Sequence, residues 1–234
     1  MIWRNRDRWG RDYQVRRAGN SLRLYTDGVF HSQYNPTRRY ERAVWDLLWL
    51  PVTGLSLGPC PRILVLGVGG GAVIKKLRQE YADALLVGVD LNPIHLRVAR
   101  RFFVVNHSQD LLLEAEAGAF VRDYQGPPFD VIIDDVFTER DGEPVRALEL
   151  DNPWCQALLR ILRPQGLLVA NFASAQEALS SAPWQDYSDV FAQRWRWTMP
   201  GYDNVIGACY RDTQIDHTRL AQEAARCGAG YCRD

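Results

Sequence analysis

One stretch constrains this chain more than any other. Ile63–Leu66 is a short, wholly apolar run that opens directly into Gly67-Val68-Gly69-Gly70-Gly71, ahead of a helical pattern over Ala72–Tyr81. A continuous apolar run suits a strand buried on both faces, as in a parallel sheet covered by helices. Glycines after such a strand let the backbone turn sharply and approach a ligand, because no Cβ intervenes. The next helix directs its free N–H groups at the same point. A glycine turn also serves tight packing, so it needs support from elsewhere. The following apolar run, Leu85–Val89, supplies it by closing on Asp90. A carboxylate at the end of the second strand of such a unit accepts hydrogen bonds from ribose hydroxyls. The competing reading makes Asp90 a helix cap ahead of Asn92-Pro93. Its place relative to the glycine turn favours the ribose role.

The same alternation runs on. Pro93–Phe103 reads as a helix, Leu111–Glu114 as a strand, Ala117–Tyr124 as a helix, and Val131–Ile133 as a buried strand ending in Asp134-Asp135. Trp154–Leu162 is helical, Leu167–Asn171 a strand, and Arg194–Thr198 with Val205–Tyr210 a closing antiparallel pair. Strands alternating with helices imply an α/β fold whose parallel sheet binds ligands at the carboxyl ends of its strands. Upstream, Tyr13–Arg17, Ser21–Thr26 and Val29–Tyr34 read as strands around turns at Ala18-Gly19-Asn20 and Asp27-Gly28. Arg38–Trp49 reads as a helix with Val44, Leu47 and Leu48 on one face. Residues 1–50 are thus expected to form an N-terminal β-strand extension and linking helix, and residues 51–234 the catalytic domain.

Charge narrows the function classes. The chain carries 28 basic and 28 acidic residues, a balance that argues against non-specific nucleic-acid or membrane binding. The N-terminal arginines (Arg4, Arg6, Arg8, Arg11, Arg16, Arg17 and Arg23) read as an exposed strand-and-turn surface. The N-terminus lacks the apolar stretch of a secretory signal, and no apolar run is long enough to span a bilayer. A cytoplasmic location is expected. Cys60, Cys155, Cys209, Cys227 and Cys232 lack paired zinc spacing, and Cys227 and Cys232 are read as free thiols on a frayed tail. His95, His107 and His217 are isolated, so no metal is expected.

Two cofactor families use a glycine turn followed by a strand-end acid. A dinucleotide enzyme would take Gly67-x-Gly69-x-x-Ala72 as its fingerprint. An S-adenosylmethionine enzyme would pass the methionine moiety over the same turn. Glu116, just after the third strand, is placed to accept from an adenine amino group, and the chain has no room for a separate dehydrogenase substrate domain. The sulfonium cofactor is the favoured reading.

At this point the motifs resemble the spermidine synthase-like (polyamine aminopropyltransferase-like) branch of the class I S-adenosylmethionine-dependent methyltransferase fold. Leu24–His31 is similar to the family's "L-x-x-DG-x-x-Q" hairpin, and Tyr40 falls where its Tyr-His-Glu motif begins. Ile63–Gly71 resembles "VLxxGGGDG", Val89-Asp90 the ribose acid, and Glu116–Phe120 the "DGxxF" adenine-side segment. Phe129–Asp135 resembles "YDVIIxD", and Leu162–Gly166 resembles "LxPGG". The resemblance implies a seven-stranded, mostly parallel sheet with an antiparallel last strand, a small N-terminal β-hairpin unit, and often a homodimer. It implies that Asp135 places and deprotonates an attacking amine. With it, Gly67, Gly69, Gly70, Gly71, Asp90, Glu116, Ala117 and Asp134 are expected at the cofactor, and Tyr40, His31 and Tyr202 at the acceptor. Adjacent side chains leaving a strand point to opposite sides, so at most one of Asp134 and Asp135 faces the cofactor; the motif match selects Asp135.

The departures shift the expected chemistry. The family's second acid after "YDVIIxD" is Thr138 here, the acids before the motif Tyr are Pro36-Thr37, and the His-Glu after it is Glu41-Arg42. The hairpin Gln is His31, and the glycine-loop Asp is Gly70. A diamine carries two positive ends, and burying both needs two sets of carboxylates. The favoured expectation is therefore methyl transfer from S-adenosylmethionine to an unidentified small-molecule or protein amine, with neither membrane nor nucleic acid as partner. Aminopropyl transfer from decarboxylated S-adenosylmethionine is the alternative, and a non-catalytic nucleoside-binding scaffold a further one.

Overall fold

In the computed structural model, residues 1–140 and 143–234 are described. The chain opens with β1 (Trp3–Arg6), β2 (Asp12–Ala18), β3 (Ser21–Thr26) and β4 (Val29–Tyr34), paired in that order as a four-stranded antiparallel sheet. The Asp27-Gly28 turn works as its sequence requires: both residues have positive φ, 49° and 86°, matching the twist of the flanking strands. Alternation decides which face packs. Tyr13, Val15 and Leu24 are wholly buried, whereas their outward neighbours Arg4, Arg6 and Arg16 are exposed. The unit has one strand more than the sequence shows, because β1 is polar at three of its four positions and carries no apolar run.

Helix α1 spans only Val44–Trp49 and continues as a 3-10 turn over Leu50–Gly54, so the helix expected from Arg38 starts six residues later. Arg42 has a φ of 55°, and the Asp46 carboxylate accepts from the backbone N–H groups of Glu41 and Ala43. Both features stop the helix from extending backwards. Val44, Leu47 and Leu48 are buried as their spacing predicts.

The main sheet is built from β5 (Arg62–Leu66), α2 (Ala72–Glu80), β6 (Leu85–Asp90), α3 (Pro93–Arg101), β7 (Asp110–Glu114), α4 (Ala117–Asp123) and β8 (Phe129–Asp134). A short hairpin follows, β9 (Phe137–Arg140) and β10 (Glu143–Arg146). Then come α5 (Asn152–Ile161), β11 (Leu162–Phe172), α6 (Ala175–Ser180), α7 (Ala182–Gln185), β12 (Gln193–Thr198), β13 (Val205–Tyr210), α8 (His217–Cys227) and β14 (Gly230–Arg233). The strand order is β14-β12-β13-β11-β8-β5-β6-β7. From β11 to β7 the strands are parallel, and β13 runs antiparallel to both β11 and β12.

The sheet has eight strands, where seven were expected. The addition is β14, paired antiparallel with β12 and pinned by a double contact of Arg196 with Asp234 at 2.6 Å. The C-terminal segment is therefore an edge strand, in place of the frayed tail expected around Cys227 and Cys232. Cys227 is fully buried at the end of α8, and Cys232 sits in β14 opposite Arg196. All four β14 residues are exposed, so no alternation marked it.

Two apolar layers cover the sheet. One joins Leu47, Ile74 and Val98 of α1–α3 and Leu220 of α8 to Tyr13, Val15 and Leu24 of the N-terminal sheet. The other joins Val121, Trp154, Leu158 and Ala178 of α4–α6 to Ile132 and Leu168. Each fully buried Leu or Ile contributes about 1.5–3 kcal/mol relative to exposure. Residues from segments 1–50 and 51–234 share the first layer, which brings the β4 strand against the glycine turn. Among the described residues, no helix is long and apolar enough to cross a membrane.

Candidate functional site

The glycine turn sits where β5 ends, between β4 and β8. Gly67 has a φ of 83°, and a Cβ there would collide with the backbone oxygen of Asp135. Gly70 is closed from the other side: a Cβ would lie 2.8 Å from Ser32 Cβ and 2.9 Å from Phe103 Cζ. The hairpin strand thus occupies the space an acid at position 70 would need. Gly69 lies under the backbone carbonyl of His31, and Gly71 leads into α2.

Asp90 ends β6 and reaches the turn. Its Oδ2 accepts from Val68 N at 3.0 Å and Gly69 N at 2.8 Å, and its Oδ1 accepts from Asn92 N at 2.8 Å. The helix cap is Asn92, whose Oδ1 accepts from Ile94 N at 3.0 Å, so Asp90 is not the cap of α3. Burial alone would raise the Asp90 carboxyl, but His95 and the backbone donors hold it below the ordinary carboxylate range. His95 Nδ1 lies 3.8 Å from Asp90 Oδ2, and its Nε2 is 2.9 Å from Thr26 Oγ1. The isolated histidine of the sequence is thus a link between the N-terminal sheet and the strand-end acid. His31 packs beside it, with ring centroids 5.0 Å apart, and burial together with His95 pushes His31 down to about 4.

Two apolar side chains flank this corner in the open: Leu91 is 70% exposed and Leu113 39%. Isolated exposed leucines are ordinary. Leu91 directly follows Asp90, and Leu113 is in register with Val89 on the neighbouring strand. Glu116 is exposed and caps α4, accepting from Gly118 N at 2.7 Å and Ala119 N at 2.6 Å. Ala117 is buried in the second apolar layer.

Asp134 and Asp135 part as the pleat requires. Asp134 is fully buried on the α5 side, where its Oδ2 accepts from Arg146 at 2.6 Å and from Trp154 Nε1 at 2.9 Å. Its Oδ1 has no partner among the described residues. This ion pair commits Asp134 to the protein interior, not to the glycine turn where it was expected. A cleft of about 440 Å³ lies on that side, lined by Arg140, Arg146, Glu149, Asp151, Phe172 and Glu177. Asp135 faces the other way, its backbone against Gly67, and its Oδ1 accepts from Asn171 Nδ2 at 2.8 Å. Burial pushes the Asp135 carboxyl up to about 7; the Asn171 hydrogen bond opposes that rise, and the charge of Asp134 adds to it.

Of the acceptor-side residues, the structure brings only His31 to the turn. Tyr40 stacks on Trp49 with centroids 5.6 Å apart, and its hydroxyl donates to Glu223 of α8. Arg39 binds the same carboxylate at 2.8 Å. Tyr202 is half-buried against the first apolar layer, beside Asp46 and Arg23. Sequence reading missed Asn171 and Asn204, whose side chains join at 3.1 Å behind Asp135. The signal available was one polar residue, Asn171, ending an apolar strand.

No family model matches the chain. It is 25% identical over 164 residues to a polyamine aminopropyltransferase of Vibrio vulnificus, covering 68% of this chain and 54% of the relative. It is 31% identical over 121 residues to a polyamine aminopropyltransferase of Chromobacterium violaceum, covering 51% of this chain and 45% of that one. The chain thus spans about half the length of these curated relatives. Its fold matches a probable spermidine synthase from Corynebacterium glutamicum with a TM-score of 0.78 and 18% identity, covering 99% of this chain and 90% of that one. Motif order, sheet order and these likenesses agree: the chain is similar to polyamine aminopropyltransferases and has the fold of the spermidine synthases.

Proposed function

We propose that this protein is a transferase that uses an S-adenosylmethionine-type cofactor and acts on an amine, methyl transfer being the favoured reaction. The observation that carries this reading is Asp135: a carboxyl lifted to about 7, beside the glycine turn, with one oxygen not hydrogen-bonded by the described residues. A protonated amine has no lone pair and must lose a proton before it attacks. A carboxyl titrating near neutrality suits that transfer, because the best general base has a pKa near the working pH. When bound, the sulfonium cofactor supplies a carbon activated for displacement.

The residues fit such a cofactor. Gly67 and Gly69 keep the turn free of side chains, and Asp90 faces it in the charged form. The ionised Asp90 gives the corner the negative potential a cationic cofactor needs, and Asp135 adds to it once deprotonated. Leu91 and Leu113 would cover the base, with Glu116 at its edge. Asp135 holds the acceptor amine and takes its proton, and alignment of the reacting atoms provides the rest of the rate.

Methyl transfer is favoured because the motif positions expected to hold the far end of a diamine are replaced or engaged elsewhere. Thr138 is exposed, Tyr40 is engaged by α8, and Ser32 with Phe103 fills the space beside Gly70. Aminopropyl transfer is the second reading, and the names of the curated relatives favour it. A calorimetric and thermal-shift comparison of S-adenosylmethionine, its decarboxylated form, methylthioadenosine and NAD tests both. Preference for the carboxylated cofactor supports methyl transfer, and preference for the decarboxylated one supports aminopropyl transfer. Binding of NAD alone, or of none of the four, would refute the proposal.

A further inference from the structure

Both acids at the end of β8 are fixed by one residue of the next strand. Asn171, buried at the end of β11, donates from Nδ2 to Asp135 Oδ1 at 2.8 Å. Its backbone carbonyl accepts from Arg146, whose guanidinium donates to Asp134 Oδ2 at 2.6 Å. The amide of Asn171 is itself oriented, because its Oδ1 accepts from Asn204 Nδ2 at 3.1 Å. A side-chain amide has one donating and one accepting end. Asn204, from the loop ahead of β13, engages the accepting end and leaves the NH₂ to face Asp135.

We propose that Asn171, held by Asn204, is a positioning residue for Asp135. It ties Oδ1 inward and leaves Oδ2 to take the proton of the acceptor. The role rests on the reading of Asp135 as the proton acceptor. Without the amide, the carboxyl is free to rotate and its accepting oxygen has no fixed place, which costs alignment. The charge state is affected too. Burial, Asp134 and Asp90 all raise the Asp135 carboxyl, while Asn171 and Arg146 lower it. A hydrogen bond donated to the charged form favours that form. Removing it leaves more of the acid protonated at neutral pH, and a protonated carboxyl cannot accept.

The test is a ¹³C-carboxylate NMR titration of the full chain, with the Asp135 signal assigned by its loss in Asp135→Asn. Asn171→Ala is expected to raise the Asp135 midpoint by about one pH unit. Asn204→Ala is expected to move it less, in the same direction. Parental midpoints in both variants, each shown folded by circular dichroism, would overturn the proposal. Asn204 sits in a loop, so Asn204→Ala carries the test alone if Asn171→Ala does not fold. In turnover, the acid limb of the kcat/KM profile should move by the same amount while cofactor affinity stays constant. Unchanged turnover in Asp135→Asn would instead refute the proposed function, and the positioning role with it, even if the titration midpoint had moved.

Discussion

Asp90 and Asp135 lie on either side of one glycine turn and differ in almost everything except residue type. Asp90 accepts three backbone N–H hydrogen bonds and has His95 beside it, so it stays ionised although largely shielded from solvent. Asp135 accepts one amide hydrogen bond, is raised further by the nearby charge of Asp134, and is lifted to about 7. Burial pushes both the same way, and the neighbours decide the outcome: His95 and then the backbone donors lower Asp90, whereas Asp135 has one amide donor and two nearby acids. One acid is thereby suited to constant binding and the other to moving a proton.

The largest expected effect tests the proton-moving side. Asp135→Asn should lower turnover by about 10²–10⁴-fold, the usual size of a general-base contribution, with calorimetric cofactor affinity unchanged. Loss of affinity alone would make Asp135 a binding group and erase the contrast.

Asp90→Ala tests the binding side. Charge-assisted hydrogen bonds contribute about 1.5–3 kcal/mol each, so cofactor affinity should fall by roughly 10–150-fold with little change in kcat at saturation. Turnover falling as steeply as in Asp135→Asn would merge the two roles.

The third prediction concerns pH. The Asp135 carboxyl has a folded pKa near 7, above the unfolded value of 3.8. Between those two values the folded state binds more protons than the unfolded one, so this group's contribution to stability falls as pH rises. Asp135→Asn should therefore gain thermal stability over the parent at pH 8, and the gain should vanish toward pH 4. Asp90, shifted below its ordinary value, has the opposite sign: its contribution is present above the unfolded pKa and is lost as pH falls through the folded one. Melting curves of both variants across this range separate the two acids.

The smallest effect belongs outside the pair. Tyr40→Phe removes a hydroxyl held by Glu223 and should cost about 0.5–1.5 kcal/mol of stability without changing KM for cofactor or acceptor. A raised acceptor KM would return Tyr40 to the site.

Much of this arrangement is legible in the amino-acid sequence. The strands β5, β6 and β8 read correctly because their middles are buried on both faces and therefore carry continuous apolar runs. The ordered motifs marked the glycine turn, Asp90 and Asp135. Elements whose stability comes from neighbours were harder to read. β14 is exposed at each residue and exists through its pairing with β12. α8 carried its own signals, an Asp216 cap and Gly228 with a φ of 81°, yet its apolar face is only Leu220, Ala224 and Cys227.

By itself the sequence determined the α/β alternation, the strand ends and the acids placed on them. Those depend on local pattern: apolar runs, glycines and the period of a pleat. Only the tertiary structure decided what each acid does. It turned Asp134 into an ion pair with Arg146, gave Asp90 its donors and His95, and set Asn171 and Asn204 behind Asp135. The reason is physical: the proton affinity of a carboxyl depends on which groups surround it, and here those groups come from strands and helices far apart in the chain.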